Sequence, residues 1–144
     1  MLRQGLLRVG PDRPAGGCTA AMLIAEDSAI SGKMGHWGDG RYRIRTPDQV
    51  TKSAGRFETV EGEVWRVRLV KGRETIEFAN ASSFQLIILP QATRALRSRG
   101  IDVRRLRGRT VRARGWIGFD DTPAMEVSAP EALELIGGKL PGRR

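Results

Sequence analysis

The sequence predicts a mainly β chain with some helix, most of it a small five-stranded barrel. Three observations carry this. A strand-like alternation begins at Phe57 and changes phase partway along; a short helix is bracketed by Pro90 and Gly100; and the elements run as three strands, a helix, then two or three more strands. That order, with the helix between the third and fourth strands, is the order of an OB-fold, a five-stranded Greek-key barrel.

Taken in order, the first residues read as a helix end and a strand, followed by a loop from Gly10 to Gly17 that contains Pro11 and Pro14. From Cys18 to Met34 the pattern is helical. Thr19, Glu26 and Lys33 fall on one polar stripe, and Met22, Leu23, Ala25, Ala29 and Ile30 cover the opposite side. Gly35 supplies a stop, and His36 and Trp37 are expected to pack against the helix just ended. Gly38 to Ala54 reads as a connector with one short strand and one helical turn.

Val60, Gly62 and Val64 alternate in one phase, and Trp65, Val67 and Leu69 in the other. Such a slip inside one long strand predicts a bulge, the device by which a strand bends to serve both sides of a small barrel. Lys71-Gly72-Arg73 is a tight turn, Thr75 to Ala79 a return strand with Ile76 and Phe78 inward, and Phe84 to Leu89 a strand buried on both faces. Pro90 suits the first position of a helix that Gly100 ends. A brief turn at Asp102 to Leu106 leads into the strand Thr110 to Ile117. A turn at Asp120 to Pro123, a strand from Ala124 to Val127 and a last segment from Glu131 to Ile136 complete the chain.

The formal net charge is +9, and the stretch from Gln91 to Ile117, with nine arginines and Asp102 as its single acid, carries +8 of it. A pI near 11.1 draws such a chain to polyanions. Alternation along Thr110 to Ile117 predicts Val111, Ala113 and Ile117 in the core and Arg112, Arg114 and Trp116 together on the other face. Guanidinium groups beside an indole suit a phosphate backbone with unstacked bases. One cysteine, Cys18, excludes an internal disulfide, and with one histidine, His36, no zinc set can be assembled. No apolar run reaches the ~18 to 20 residues of a membrane span, and the first residues lack the apolar centre of a signal peptide, so the expected location is cytoplasmic.

Several motifs resemble bacterial proteins of the thermonuclease (staphylococcal-nuclease-like) family. Val60 to Val64, Gly100-Ile101-Asp102, Leu106 to Trp116, Met125-Glu126-Val127 and Pro130-Glu131 resemble an OB-like module that follows the nuclease domain in that family. Arg3-Gln4-Gly5-Leu6 with Arg8-Val9, and Ala25-Glu26 onward to Gly35-His36-Trp37, resemble the end of the nuclease domain itself. The resemblance implies that residues 1–46 are the C-terminal remnant of a nuclease OB-type domain. It makes 47–56 a linker, 57–138 the OB-like barrel and 139–144 a basic tail. It also implies that the calcium-binding acids, the catalytic glutamate and the transition-state arginines precede the first residue, so no catalytic residue, metal ligand or cofactor is carried over. Gly38-Asp39-Gly40 and Asp120-Asp121-Thr122 echo a metal motif, but they read as turns.

The expected activity is therefore binding of nucleic acid, single-stranded in preference and with little sequence selectivity, through Arg66, Arg68, Lys71, Arg73, Arg112, Arg114 and Trp116. Arg94, Arg97, Arg104, Arg105 and Arg107 form a second basic patch. The alternative is that the chain is the C-terminal part of a metal-dependent nuclease, in which case it would be exported. A third reading is a scaffold that binds nothing. The apolar side of the N-terminal helix predicts a homodimer or a frayed N-terminus.

Overall fold

In the computed structural model the described residues are 1–6, 8–9, 17–38, 42–79, 81–120 and 122–136. The chain divides into two compact units, Met1–Ile44 and Arg45–Arg144.

The first unit contains helix α1 (Gly17–Ser31), a 3-10 turn (Gly35–Trp37) and the start of a two-residue strand, β1 (Ile44–Arg45). One residue of the helix departs from the predicted sorting. Ala29 of the apolar side is buried, but so is Glu26 of the polar stripe. The reason is a polar contact, because Glu26 accepts a hydrogen bond from the Val9 backbone N–H, and a buried carboxylate is tolerable only with such a donor. Among the described residues of 1–9 there is no strand. The turn that carries His36 and Trp37 contacts the helix, and both rings also meet Tyr42, with centroids 5.1 and 5.3 Å from it, while the Arg8 guanidinium lies 5.0 Å from the Tyr42 ring centre.

The second unit is the barrel. Its strands are β2 (Phe57–Val70), β3 (Arg73–Phe78), β4 (Ala81–Ile88), β5 (Thr110–Asp120) and β6 (Thr122–Val127), with β7 (Leu133–Ile136) added outside β5. Neighbours follow β2-β3-β4-β6-β5, and pairing of β2 with β5 closes the ring. The fold is thus the closed five-stranded, OB-like barrel that the element order predicts. The β4–β6 pair is parallel; β2–β3, β3–β4, β5–β6 and β2–β5 are antiparallel.

β2 serves both sides of this ring. Its first half, Phe57 to Glu63, pairs with β5, and its second half, from Val64, pairs with β3. The register shifts between Val64 and Arg66, at the predicted phase slip. The core gathers Val60, Val64, Ile76, Phe78, Phe84, Leu86, Ile88, Val111, Ala113, Ile117, Met125 and Val127. Where β2 crosses this core its residue is Gly62, and a Cβ there would stand 2.7 Å from Pro47 Cγ and 2.9 Å from Phe78 Cδ1.

Helix α2 (Pro90–Ser98) closes one end of the barrel with Ala92 and Leu96 buried. Pro90 opens it, and it ends in a Schellman arrangement. Ile101 N–H bonds to Leu96 O at 2.9 Å and Gly100 N–H to Arg97 O at 3.0 Å, with Gly100 at φ 84°. Asp102 then accepts a bond from Arg104 N–H and starts a second short turn, Val103–Arg105. Residues 47–56 are not a free linker. Thr46 and Gln49 form a capping box on the turn Pro47–Val50, and Val50 is fully buried in the barrel core.

Replacing Gly62 by Ala is expected to destabilise the barrel by about 1 to 3 kcal/mol through this overpacking, read from urea unfolding midpoints. An unchanged midpoint would show that Pro47 and Phe78 yield freely.

Candidate nucleic-acid interface

The β2–β3 hairpin is closed by a two-residue turn. Lys71 (φ 52°) and Gly72 (φ 79°) both lie in the left-handed region between the paired residues Val70 and Arg73. A type I′ turn needs this geometry, and its twist matches that of the strands it joins. The register then sorts side chains by face. Arg66 lies opposite Glu77, Arg68 opposite Thr75 and Val70 opposite Arg73, and on the next strand Thr75 faces Ile87 and Glu77 faces Gln85. Because Val67, Ile76 and Leu86 occupy the alternate positions and reach the core, this second set forms the outer wall.

That wall holds an open depression of about 200 Å³ lined by Arg68, Val70, Lys71, Arg73, Thr75, Gln85, Ile87 and Thr122. Thr75 and Ile87 are buried beneath it, so the floor is close-packed while cations and polar groups form the rim. Lys71 is exposed at the hairpin tip and has no carboxylate partner among the described residues.

Arg66 and Arg68, two positions apart on β2, both fork onto Glu77. Arg68 Nε reaches Oε2 at 3.0 Å, and the Nη2 atoms of both arginines lie 3.3 Å from Oε1, while Arg66 Nε also bonds Oε2. The hydrogen bond from Arg66 is the largest cause holding the Glu77 carboxyl below the ordinary carboxylate range. It outweighs the opposing effect of burial, and the charge of Arg68 adds to it. The same bond raises the Arg66 guanidinium above its ordinary value. Two cations on one anion leave a net positive charge on this part of the wall, with both guanidinium planes fixed.

The predicted site residues separate into three places. Arg66, Arg68, Lys71 and Arg73 share the β2–β3 wall. Arg112 and Arg114 do point away from the core, but they are 6% and 2% exposed. Arg112 Nε bonds Glu61 Oε2 at 3.1 Å on β2, and Arg114 Nη2 bonds Glu134 Oε1 at 2.6 Å on β7. The expected open face of Arg112, Arg114 and Trp116 is therefore corrected: its two arginines are buried in ion pairs across neighbouring strands. Trp116 is 56% exposed, edge-on to Phe57 with ring centroids 5.8 Å apart. It pairs with Phe57, nine positions along β2 from Arg66, or roughly 30 Å of strand, so it does not join the wall.

In the second basic patch, Arg104 Nε is bonded at 2.8 Å to Glu74, which raises the Arg104 pKa, and Arg105 Nε lies 3.7 Å from Asp102; Arg99, outside that patch, is bonded to Glu131. Arg94, Arg97 and Arg107 have no carboxylate partner among the described residues. The sequence pattern does not single out Trp65 as a site residue. It is 49% exposed, with the Arg66 guanidinium 4.6 Å from its ring centre. Among the described residues no three His, Cys, Asp or Glu side chains come together as a metal site, and no helix is long and apolar enough to cross a membrane. The turn motifs at Asp39 and Asp121 lie outside the described residues.

No family model matches the chain, and no curated protein matches it. Among solved structures it is similar to an S. pombe Stn1–Ten1 complex, with a TM-score of 0.43, 14% identity and 58% of this chain covering 60% of that one. It is also similar to yeast Stn1 and Ten1, with a TM-score of 0.41, 15% identity and 57% of this chain covering 43% of that one. The matches thus span less than two thirds of those chains. These are not thermonucleases, and the resemblance to that family is corrected, together with the nuclease origin it implied for residues 1–46. The motifs that suggested it are local backbone devices. Gly100 ends a helix and Asp102 caps a turn, and these are residue types that such positions favour in unrelated chains.

Glu77 should reveal itself in the acid limb of stability. Its carboxyl has a lower pKa folded than unfolded, so its stabilisation is complete above the unfolded value of about 4.3 and is lost as pH falls through the folded one. Urea unfolding between about pH 5 and pH 3 is expected to show a smaller loss for Glu77→Gln than for the parent chain; equal losses would contradict this assignment.

Proposed function

We propose that this barrel binds single-stranded nucleic acid across the outer wall of β2, β3 and β4, with little sequence preference. The observation that carries the reading is the open depression rimmed by Arg68, Lys71 and Arg73 over a floor of Thr75 and Ile87. In barrels of this class the face of the second and third strands, with the first hairpin loop, is where oligonucleotides commonly lie. Here those elements are β3, β4 and the Lys71-Gly72 turn.

Arg66, Arg68, Lys71 and Arg73 supply the phosphate contacts. Glu77 holds two of them in fixed planes, so little side-chain freedom is lost when a phosphate arrives. Gln85, part-exposed on the rim, offers hydrogen bonds to sugar or base edges without a rigid code. Arg112 and Arg114, already neutralised by Glu61 and Glu134, hold β5 to its neighbours rather than grip a ligand.

Titration of a labelled single-stranded oligonucleotide at two salt concentrations tests the proposal. Four phosphate contacts give a slope of log affinity against log salt of about −3. The double variant Lys71→Glu, Arg73→Glu is expected to bind more than about tenfold more weakly with a shallower slope, while unfolding at the parent's urea midpoint. Unchanged affinity in that variant would end the reading.

A further inference from the structure

We propose that Trp65, with the cations beside it, is a base-stacking subsite that continues the binding groove around the barrel, so that one single strand engages both. The inference rests on the nucleic-acid reading of the wall and adds to it a second contact with its own chemistry.

The bulge creates the subsite. Because the register shifts between Val64 and Arg66, Trp65 is released from the inward phase of β2 and stands half exposed beside the fully buried Val64. Its ring is fixed from one side. The Arg66 guanidinium that lies 4.6 Å from the ring centre is the same group that bonds Glu77, so indole, guanidinium and carboxylate form one ordered stack. An aromatic side chain held in this way presents a surface to a base at little cost in side-chain freedom.

The surroundings favour a polyanion over a protein. Val64 O accepts from Gly108 N–H at 2.8 Å, and Val64 N–H donates to Arg109 O at 2.9 Å, which pins the Arg107–Arg109 segment alongside the bulge. Neither Arg107 nor Arg109 has a carboxylate partner among the described residues. Arg104, bonded to Glu74, the residue next to Arg73, ties the neighbouring turn to the rim of the wall. An indole stacked on Arg66, with Arg107 and Arg109 on the segment pinned to the bulge, matches the alternation of base and phosphate along a single strand, whereas a protein-docking core is depleted of charge.

The chain has three tryptophans, so Trp37→Phe, Trp116→Phe leaves Trp65 as the one reporter. Titrating that variant with a single-stranded oligonucleotide of about 15 nucleotides is expected to quench its emission saturably. In the otherwise unchanged chain, Trp65→Ala should weaken binding roughly tenfold and Trp65→Phe much less, with both variants unfolding cooperatively in urea. Should the chain bind the oligonucleotide through Lys71 and Arg73 while Trp65 emission stays constant and Trp65→Ala binds as tightly, the subsite is refuted and the wall stands. Failure of the parent chain to bind any oligonucleotide at low salt overturns both, as does capture of a protein through Trp65 without any response to nucleic acid.

Discussion

One strand shared between two sheets governs this molecule. β2 pairs with β5 over its first half and with β3 over its second, and the shift between Val64 and Arg66 is where it passes from one to the other. A barrel of five strands must coil sharply to close, and a bulge concentrates that bend in one place. Its consequences are chemical as well as architectural. The bulge turns Trp65 outward, aligns Arg66 and Arg68 over Glu77, and leads β2 to the hairpin that lifts Lys71 clear of the wall.

Positive charge is abundant in the sequence, but position decides what each cation does. Arg112 and Arg114 lie in the most basic stretch of the chain and yet are taken up by Glu61 and Glu134. Arg99 and Arg104 are likewise held by Glu131 and Glu74. Arg66 and Arg68 must share one carboxylate, and Lys71 stands at a turn. Among the described residues the surplus of positive charge therefore lies on the β2–β3 wall, beside the bulge and at Arg94 and Arg97 of α2, rather than along β5.

The barrel was legible because its determinants are local. A phase slip at Val64 and Trp65, proline and glycine at the two ends of α2, and a Lys-Gly turn each act within a few residues. What the sequence concealed depends on distant partners. Glu61 is 51 residues from Arg112, and Glu134 is 20 from Arg114, so nothing near those arginines signals that they are buried in ion pairs. The exposure of Trp65 was hidden for a related reason: at a bulge the strict alternation of faces fails for the residue at the slip itself. Glu26 of helix α1 was misjudged because one buried hydrogen bond, from Val9, outweighs its place in the polar stripe.

Backbone amide chemical-shift mapping during titration with a single-stranded oligonucleotide locates directly the face of the barrel that meets the ligand. Binding on the β2–β3 wall predicts that the amides of Arg66 to Thr75 and of Gln85 to Ile87, with the Trp65 indole N–H, shift together and saturate together. Perturbations confined to Arg112 through Trp116 and the neighbouring residues of β7, with the β2–β3 wall unmoved, would contradict it.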